Sequence, residues 1–288
     1  MKKHVLFFIV IVFVMPVNNL IAQVNNNVIT FMIGGFQVST LVETQSAGNP
    51  SILIGANQAD LQKYLTDGTF QSEINAFLVR TPDKNILIDT GLGLNLLQNL
   101  QSLGLTAEQI DVILLTHVHG DHIGGLLRDG KAAFPNAVLY LSQLEYGFWT
   151  NNKQSLPIIN AYKDRIKQFE AVEFDSKDNN LFAGFKGIKA YGHTPGHTVY
   201  LVESNGESLL IWGDLTHVTP VQLPHPEIAV TYDSNAQEAI ASRLKILKYV
   251  AAQKIPIAGM HIVFPAIGNV TVGKEGYDFE PLCTCLGY

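Results

Sequence analysis

Apolar residues along this chain fall into short runs separated by turn residues, with one long helical pattern near the C-terminal end. Alternation on both sides of Gly34-Gly35 predicts a hairpin of strands at 27–33 and 36–43. Apolar positions at helical spacing predict a long helix over 237–252. The other predicted strands are 75–80, 85–89, 112–115, 138–141, 188–191, 199–203, 209–213 and 255–259, and the other predicted helices are 58–65, 94–103, 142–150 and 156–169, with a short helix beginning at Thr106.

Each half of the chain holds a cluster of predicted strands followed by helices. This order favours two packed sheets with helices outside over a single doubly wound sheet. The sequence contains no internal repeat, low-complexity tract or obvious linker. We therefore expect residues 23–288 to form one α/β domain with an ample core.

The first 22 residues have the pattern of an export signal. Lys2 and Lys3 precede an apolar run at 5–14, and we expect cleavage after Leu20-Ile21-Ala22. The apolar run is too short to span a bilayer comfortably, although an uncleaved N-terminal anchor is the alternative. We expect an exported protein, periplasmic or secreted, without stable membrane insertion after cleavage.

The charge and cysteine content narrow the choice of partner. The chain has 19 basic and 25 acidic residues, a net charge of −6 with neutral histidines. This balance argues against nucleic acid or anionic lipid as a partner. The only cysteines, Cys283 and Cys285, are separated by one residue, which would strain a disulfide between them. We expect them to have a minor structural role, the alternative being a soft-metal site that nothing nearby completes.

The highest concentration of candidate metal-binding side chains follows the strand predicted at 112–115. His117, His119, Asp121 and His122 lie within six residues directly after this apolar run. They therefore occupy a loop at a strand end, where layered α/β folds bind ligands. Imidazole and carboxylate are ligands that zinc prefers in catalytic sites. The pattern predicts a metal site, the alternative being a solvated polar loop, for which such clustered histidines are atypical.

Further candidate ligands follow other predicted strands. His193 and His197 share one turn, Asp214 closes a strand and His261 follows the last predicted strand. Strand ends hold side chains rigidly while they face open space. A lone histidine is more often an ordinary buried or surface residue, but a metal site requires such a set.

These motifs resemble those of the metallo-β-lactamase superfamily. The matching pieces are H-x-H-x-D-H at 117–122, T-P-G-H-T around His197, W-G-D ending at Asp214, His261, and L-I-D-T-G at 87–91. They occur in the family's order and are spread from residue 87 to residue 261. The resemblance implies an αββα sandwich of two mixed β-sheets with helices on the outer faces and two metal ions at one edge.

The resemblance also divides the ligands between the two ions. It implies His117, His119 and His197 for the first ion, Asp121, His122 and His261 for the second, and Asp214 bridging both. A shared carboxylate can hold two cations about 3.5–4 Å apart, the separation that two-metal hydrolases use. The expected cofactors are two divalent ions, Zn²⁺ before manganese, cobalt or iron.

Two residues outside this ligand set are expected to support it. Asp89 would accept a hydrogen bond from a ligand imidazole and so fix its tautomer, with a turn aspartate as the alternative. The family's ligand position matches the histidine after Pro195-Gly196, so His193 is expected to be a supporting or structural residue.

The residue at position 214 indicates the class of reaction. True β-lactamases of this superfamily carry Cys or Ser there, whereas aspartate is typical of its ester, thioester, lactone and phosphoester hydrolases. The segments around Asp214 and after His261 are similar to the methyl parathion hydrolase-like group, which includes lactonases and arylesterases. This similarity implies a hydrolase of lactones or aryl esters that acts through a metal-bridging hydroxide, with phosphotriesterase side activity.

Two catalytic roles follow. Asp121 would orient the hydroxide and carry a proton to the leaving group. His217 stands where some acyl-homoserine lactonases have a tyrosine, and its N–H would donate to the developing oxyanion. The departure from tyrosine argues against a simple transfer of those enzymes' substrate preference.

Few basic residues surround the candidate ligands, which favours a small, neutral, apolar ester or lactone as substrate. Phe148 and Trp149 are candidates for an apolar wall, with core packing equally open. One alternative is a glyoxalase II-like thioesterase, which would need cationic anchors. Another is a non-catalytic, metal-stabilised binding protein, which would lack some ligands. The resembled group often forms dimers, so a homodimer is expected from the resemblance alone.

Overall fold

The computed structural model describes residues 27–177 and 181–282. The predicted export signal at 1–22 and both Cys283 and Cys285 lie outside the described residues, so these predictions stay predictions. Within the described ranges, no helix combines the length and the apolar character needed to cross a membrane.

Two mixed β-sheets form the centre of the protein. The strands of the N-terminal half are β1 (Val28–Ile33), β2 (Phe36–Gly48), β3 (Leu53–Ile54), β4 (Phe70–Arg80), β5 (Asn85–Ile88), β6 (Val112–Leu114), β7 (Leu127–Arg128), β8 (Lys131–Ala132), β9 (Val138–Ser142) and β10 (Ile166–Phe169). Those of the C-terminal half are β11 (Phe185–Lys189), β12 (Thr198–Ser204), β13 (Glu207–Ile211), β14 (Ala229–Val230), β15 (Ile257–Ala258), β16 (Ile267–Val272) and β17 (Tyr277–Pro281).

The two sheets divide the chain nearly into halves. The first has seven strands in the order β1-β2-β4-β5-β6-β9-β10, antiparallel up to β5 and parallel beyond it. The second has six strands in the order β11-β12-β13-β15-β16-β17, with β13 and β15 parallel and the other neighbours antiparallel. Both sheets are therefore mixed, as predicted.

Helices cover the outer faces. They are α1 (Gln58–Tyr64), α2 (Leu96–Ser102), α3 (Gly120–Ile123), α4 (Gln143–Thr150), α5 (Leu156–Tyr162), α6 (Thr219–Gln222) and α7 (Ala236–Gln253). The longest, α7, begins where the Asn235 side chain accepts a hydrogen bond from Glu238 N, and ends where Lys254 adopts a left-handed conformation. Its buried positions Ile246, Leu247 and Val250 recur at helical spacing, which explains why the sequence pattern identified it.

The alternation of side chains along each strand builds two cores. Phe77 of β4 points into the core between the sheets, in a cluster that includes Val199 of β12 and extends to Ile246 of the outer helix α7. The next residue, Leu78, points the other way, into a second cluster with Leu100 of α2 and Trp149 of α4. The layers thus run helix, sheet, sheet, helix, and the predicted αββα sandwich is confirmed.

The sequence pattern failed at strands on or next to a sheet edge. The helix predicted at 156–169 ends at Tyr162, and after a turn at 163–165 the chain continues as β10, parallel to β9. Nothing was predicted for β16 and β17, which mix buried apolar positions such as Ile267 and Val270 with polar and exposed ones. Short strands with one solvated face lack the apolar runs on which the prediction depended.

A segment between β2 and β4, residues 49–69, forms a cap beside the strand ends. Its strand β3 pairs with β14, and Thr231 N donates to Ile52 O at 2.8 Å. A small third core holds the cap against α6 through Leu65, Phe70 and Val221. We call residues 49–69 the cap segment.

Candidate metal centre

The predicted ligands converge at one edge of the sandwich. His117 and His119 follow β6, and the short helix α3 then turns Asp121 and His122 back towards them. The other candidates come from the second sheet: the turn between β11 and β12 carries His193 and His197, Asp214 follows β13 and His261 follows β15. The structure thus brings together side chains that are up to 144 positions apart, between 117 and 261.

The Asp214 carboxylate lies at the centre of the cluster. Its Oδ2 is 3.2 Å from Nε2 of both His193 and His261, and its Oδ1 is 3.0 Å from His122 Nε2. Burial acts to raise the pKa of Asp214, but the surrounding imidazoles outweigh it and hold the pKa well below its usual value. The side chain is therefore an anion placed among cation-binding groups.

The donor atoms fall into overlapping groups, within each of which all atoms lie within 4.8 Å of one another. The groups are His117, His119, His193 and Asp214; Asp121, His122 and His261; and Asp214, His217 and His261. The first two groups correspond to the two predicted half-sites, and Asp214 contacts members of both. They differ from the prediction at one residue, because His193 stands in the first group where His197 was expected.

That exchange corrects the sequence prediction at His197. The Nδ1–H of His197 donates to Ala190 O at 2.9 Å, and its Nε2 accepts the Asp214 N–H at 3.0 Å. Both ring nitrogens are thus engaged, and none is left for a metal ion. Gly213 permits this approach, because a Cβ there would lie 2.5 Å from His197 Nε2. The predicted first-ion ligand therefore holds the Asp214 backbone instead.

His193 occupies the place predicted for His197. Its Nε2 lies 3.0 Å from His119 Nδ1, and its Nδ1–H donates to Asp233 Oδ1 at 2.9 Å. Burial acts to lower the pKa of His193, but its hydrogen bonds to Asp214 and Asp233 raise it to about 9. Metal binding at this ring would therefore displace a proton. The sequence did not distinguish these roles, because two histidines share one turn.

Hydrogen bonds at Nδ1 aim other rings into the cluster. His122 Nδ1–H donates to Asp89 Oδ2 at 2.7 Å, and His261 Nδ1–H donates to the Glu73 carbonyl at 2.7 Å. Such partners fix the tautomer that leaves Nε2 free as a ligand. Asp89 lies where the sequence placed it and also accepts from Thr116. The matching role of Asp233 was missed, since nothing in its sequence context signals it.

The donor set fits divalent cations. His117 Nε2 is buried and has no hydrogen-bond partner among the described residues, which is rare for a polar atom unless a ligand or ion satisfies it. Burial also lowers the pKa of His119 to about 4, so this ring is in the neutral form that binds metal. Imidazole and carboxylate donors at this density suit zinc and related ions.

A cavity of about 490 Å³ opens onto the cluster. Its floor includes His119, Asp121, Asp214, His217 and His261, and its walls are Gly48, Asn49, Ile52, Phe70, Ser72, Ile74, Gly120 and Tyr232. No lysine or arginine is among these described lining residues. The cavity therefore combines a polar floor with a mainly apolar, uncharged wall.

The predicted wall residues are not part of this cavity. Trp149 is 1% exposed and packs in the core beneath α4, whereas Phe148 is 41% exposed and does not line the cavity. The observed wall comes from the cap segment, β4 and the loop at Tyr232. Phe70 and Ile74 lie on one face of β4, as the two-residue period of a strand requires. The strand predicted from the sequence began only at residue 75, so both residues were left out of it.

His217 lies beside the Asp214 carboxylate. Its ring stacks on His261 at 4.8 Å, and its Nε2 is 3.0 Å from Asp214 Oδ2. The buried Gln222 side chain accepts the His217 N–H at 2.7 Å and fixes the backbone. Burial lowers the pKa of His217 to about 4, so the ring is neutral near pH 7.

Fold, ligand arrangement and sequence agree on one family. The sequence profile described as the Metallo-beta-lactamase superfamily matches residues 70–252, well over half of the chain. The chain belongs to this superfamily. Among curated metallo-β-lactamase relatives, a hydroxyacylglutathione hydrolase of Francisella tularensis subsp. novicida is 32% identical over 129 residues, 44% of this chain and 43% of that protein. The chain spans between 26% and 61% of the length of the curated relatives that it matches first.

Two solved metallo-β-lactamase structures are similar over nearly their whole length. AidC, a dizinc quorum-quenching lactonase in complex with the product N-hexanoyl-L-homoserine, has a TM-score of 0.82 and 29% identity, covering 89% of this chain and 98% of AidC. The hydrolase AbOPH has a TM-score of 0.82 and 31% identity, covering 91% and 99% of the two chains.

Proposed function

We propose that this superfamily member is a dinuclear metal-dependent hydrolase of lactones or aryl esters. The observation that carries the proposal is the joining of two His/Asp half-sites through Asp214 at the floor of a cavity whose wall carries no charged side chain. A non-catalytic, metal-stabilised protein would not need the donors to face an open cavity.

The proposed ligands follow the observed groups. His117, His119 and His193 would hold the first ion, Asp121, His122 and His261 the second, and Asp214 both, with zinc the best-suited metal. Bound ions of this kind lower the pKa of water to near 7 and polarise a carbonyl or phosphoryl oxygen.

The remaining steps belong to the protein's own side chains. The Asp121 carboxylate lies at the cavity floor with its side chain 30% exposed, where it would orient the attacking water and carry a proton to the leaving alkoxide or phenoxide. His217 lines the same floor, and an N–H from its fixed ring would stabilise negative charge on the substrate oxygen.

The wall of the cavity supports a neutral substrate. Ile52, Phe70, Ile74 and Tyr232 offer apolar surface and no cation to an acyl chain or aromatic ring. The dizinc lactonase AidC, similar over nearly its whole length, was solved with an acyl-homoserine product. A glutathione thioesterase would need cationic anchors for its carboxylates, so the match to a hydroxyacylglutathione hydrolase supports the shared chemistry more than that substrate.

A hydrolysis panel on metal-analysed protein tests this function. We expect turnover of acyl lactones and aryl esters, weaker turnover of a phosphotriester and about two metal ions per chain. Initial rates on each substrate class, with metal counted by mass spectrometry, provide the measurement. Turnover of thioesters alone would make the glyoxalase II-like alternative correct, and one metal per chain would contradict the dinuclear site.

The apolar wall gives a second expected result. Ile74→Ala should lower kcat/KM for a long-chain acyl lactone about tenfold and change that for the unsubstituted lactone much less, because removing methylene contacts costs about 1–3 kcal/mol of discrimination. Phe148→Ala is the matched control, since its ring lies away from the cavity. A larger effect of Phe148→Ala than of Ile74→Ala would show that the acyl chain binds elsewhere.

A further inference from the structure

One buried carboxylate outside the ligand set contacts two ligand-bearing loops. Glu145 of α4 is fully buried. Its Oε1 accepts the Val118 N–H at 3.0 Å, and its Oε2 accepts the Thr194 hydroxyl at 2.7 Å and the Gly196 N–H at 2.9 Å. Three donors thus satisfy a charged group that would otherwise be costly to bury.

The groups that Glu145 holds belong to one half-site. Val118 lies between His117 and His119, and Thr194 directly follows His193. The first loop follows β6 of the seven-stranded sheet, and the second is the turn before β12 of the six-stranded sheet. The Glu145 side chain therefore holds the backbone directly beside all three imidazoles of the first half-site across the two sheets, whereas none of its hydrogen-bond partners adjoins Asp121, His122 or His261 in the chain.

The first residues of α4 are held against the turn between β11 and β12. The Ser142 hydroxyl donates to Gly196 O at 2.7 Å and accepts the Glu145 N–H at 3.2 Å. A Cβ on Gly196 would lie 2.2 Å from Glu145 N, so glycine is needed for this close approach. Because helix and turn are in direct contact, the Glu145 carboxylate has little freedom to move.

We propose that Glu145 is a positioning residue that sets the metal affinity of the first half-site selectively. The inference rests on the dinuclear function proposed above. Without the carboxylate, the two loops are no longer linked to each other. Ordering the three imidazoles then costs free energy, and this cost lowers the affinity for the metal ion. Mutation of a residue that hydrogen-bonds to a metal ligand typically changes metal affinity about 10–100-fold, and we expect an effect of this order from Glu145, which holds the segments that carry the ligands.

Co²⁺ titrations in two backgrounds separate the half-sites. His261→Ala leaves the first half-site complete, and His193→Ala leaves the second. Adding Glu145→Gln should weaken Co²⁺ binding about 10–100-fold in the His261→Ala background and by less than about threefold in the His193→Ala background. Visible absorption of the bound Co²⁺ gives both dissociation constants without using activity.

Two further variants keep the test decisive. Thr194→Val removes one of the three donors and should weaken the first half-site in the same direction by a smaller factor, even if Glu145→Gln does not fold. Glu43→Gln is the matched control: Glu43 is also a buried carboxylate that accepts backbone N–H groups, from Leu94 and Asn95, but it touches neither loop. Glu43→Gln should leave both affinities unchanged.

The outcomes are distinct. Equal weakening in both backgrounds, or none in the His261→Ala background, overturns the positioning role of Glu145. Failure of both parent backgrounds to bind Co²⁺ overturns the dinuclear function, and the role of Glu145 with it.

Discussion

Asp214→Ala is expected to lose bound metal and hydrolytic activity together. The carboxylate contacts imidazoles of both half-sites, so its removal leaves each with one ligand fewer and removes the anion that balances two cations. We expect kcat/KM on the best lactone to fall by about 10³-fold or more, at least the loss seen when one preorganised transition-state group is removed. Metal per chain and kcat/KM, measured on the same preparation, provide the check.

Asp83→Ala serves as the control for Asp214→Ala. Asp83 lies in the exposed turn before β5, far along the chain from every ligand, and its removal should change neither quantity. Two metals per chain in Asp214→Ala would show that this carboxylate does not join the half-sites.

His193→Ala and His197→Ala should behave in opposite ways, although the two residues share one turn. His193→Ala should bind one metal fewer and lose most activity, because its Nε2 belongs to the first group of donors. His197→Ala should retain about two metals but lower the free energy of unfolding, because Ala190 O and the Asp214 N–H each lose a buried partner. Each such loss costs about 1–3 kcal/mol.

Metal analysis and denaturant unfolding of both variants distinguish these roles. If His197→Ala lost a metal ion while His193→Ala kept both, the ligand expected from the sequence resemblance would be correct, and the arrangement of this turn described above would be wrong.

Most of the metal centre could be predicted because its residues obey a local rule. His117 to His122, Asp214 and His261 each follow an apolar run, and a run that forms a strand fixes where its end points. That rule could not choose between His193 and His197. The choice depends on which ring reaches the backbone of Asp214, a contact between residues 17 positions apart.

The cavity could not be predicted for a different physical reason. Its wall joins the cap segment to β4 and to Tyr232, and the link between them is a pair of two-residue strands, β3 and β14. Strands this short show no periodicity. The aromatic pair predicted to line the cavity, Phe148 and Trp149, lies on α4 instead. Trp149 is buried in the core, so its apolar character alone could not distinguish a core residue from a cavity-lining residue.

The loop around Tyr232 limits which sequence changes could alter the substrate range of the proposed hydrolase. The Thr231 N–H donates to the cap segment and Asp233 accepts from His193, so both neighbours of the cavity-lining Tyr232 are held by hydrogen bonds. Side-chain replacements at Tyr232 can therefore reshape the cavity, whereas insertions there would shift His193, a proposed metal ligand. The cap segment carries none of the proposed metal ligands but lines the cavity through Asn49 and Ile52, so a change in its length would alter the wall rather than the metal centre. Diversification of substrate range in such a scaffold should proceed by exchange at Tyr232 and by growth of the cap.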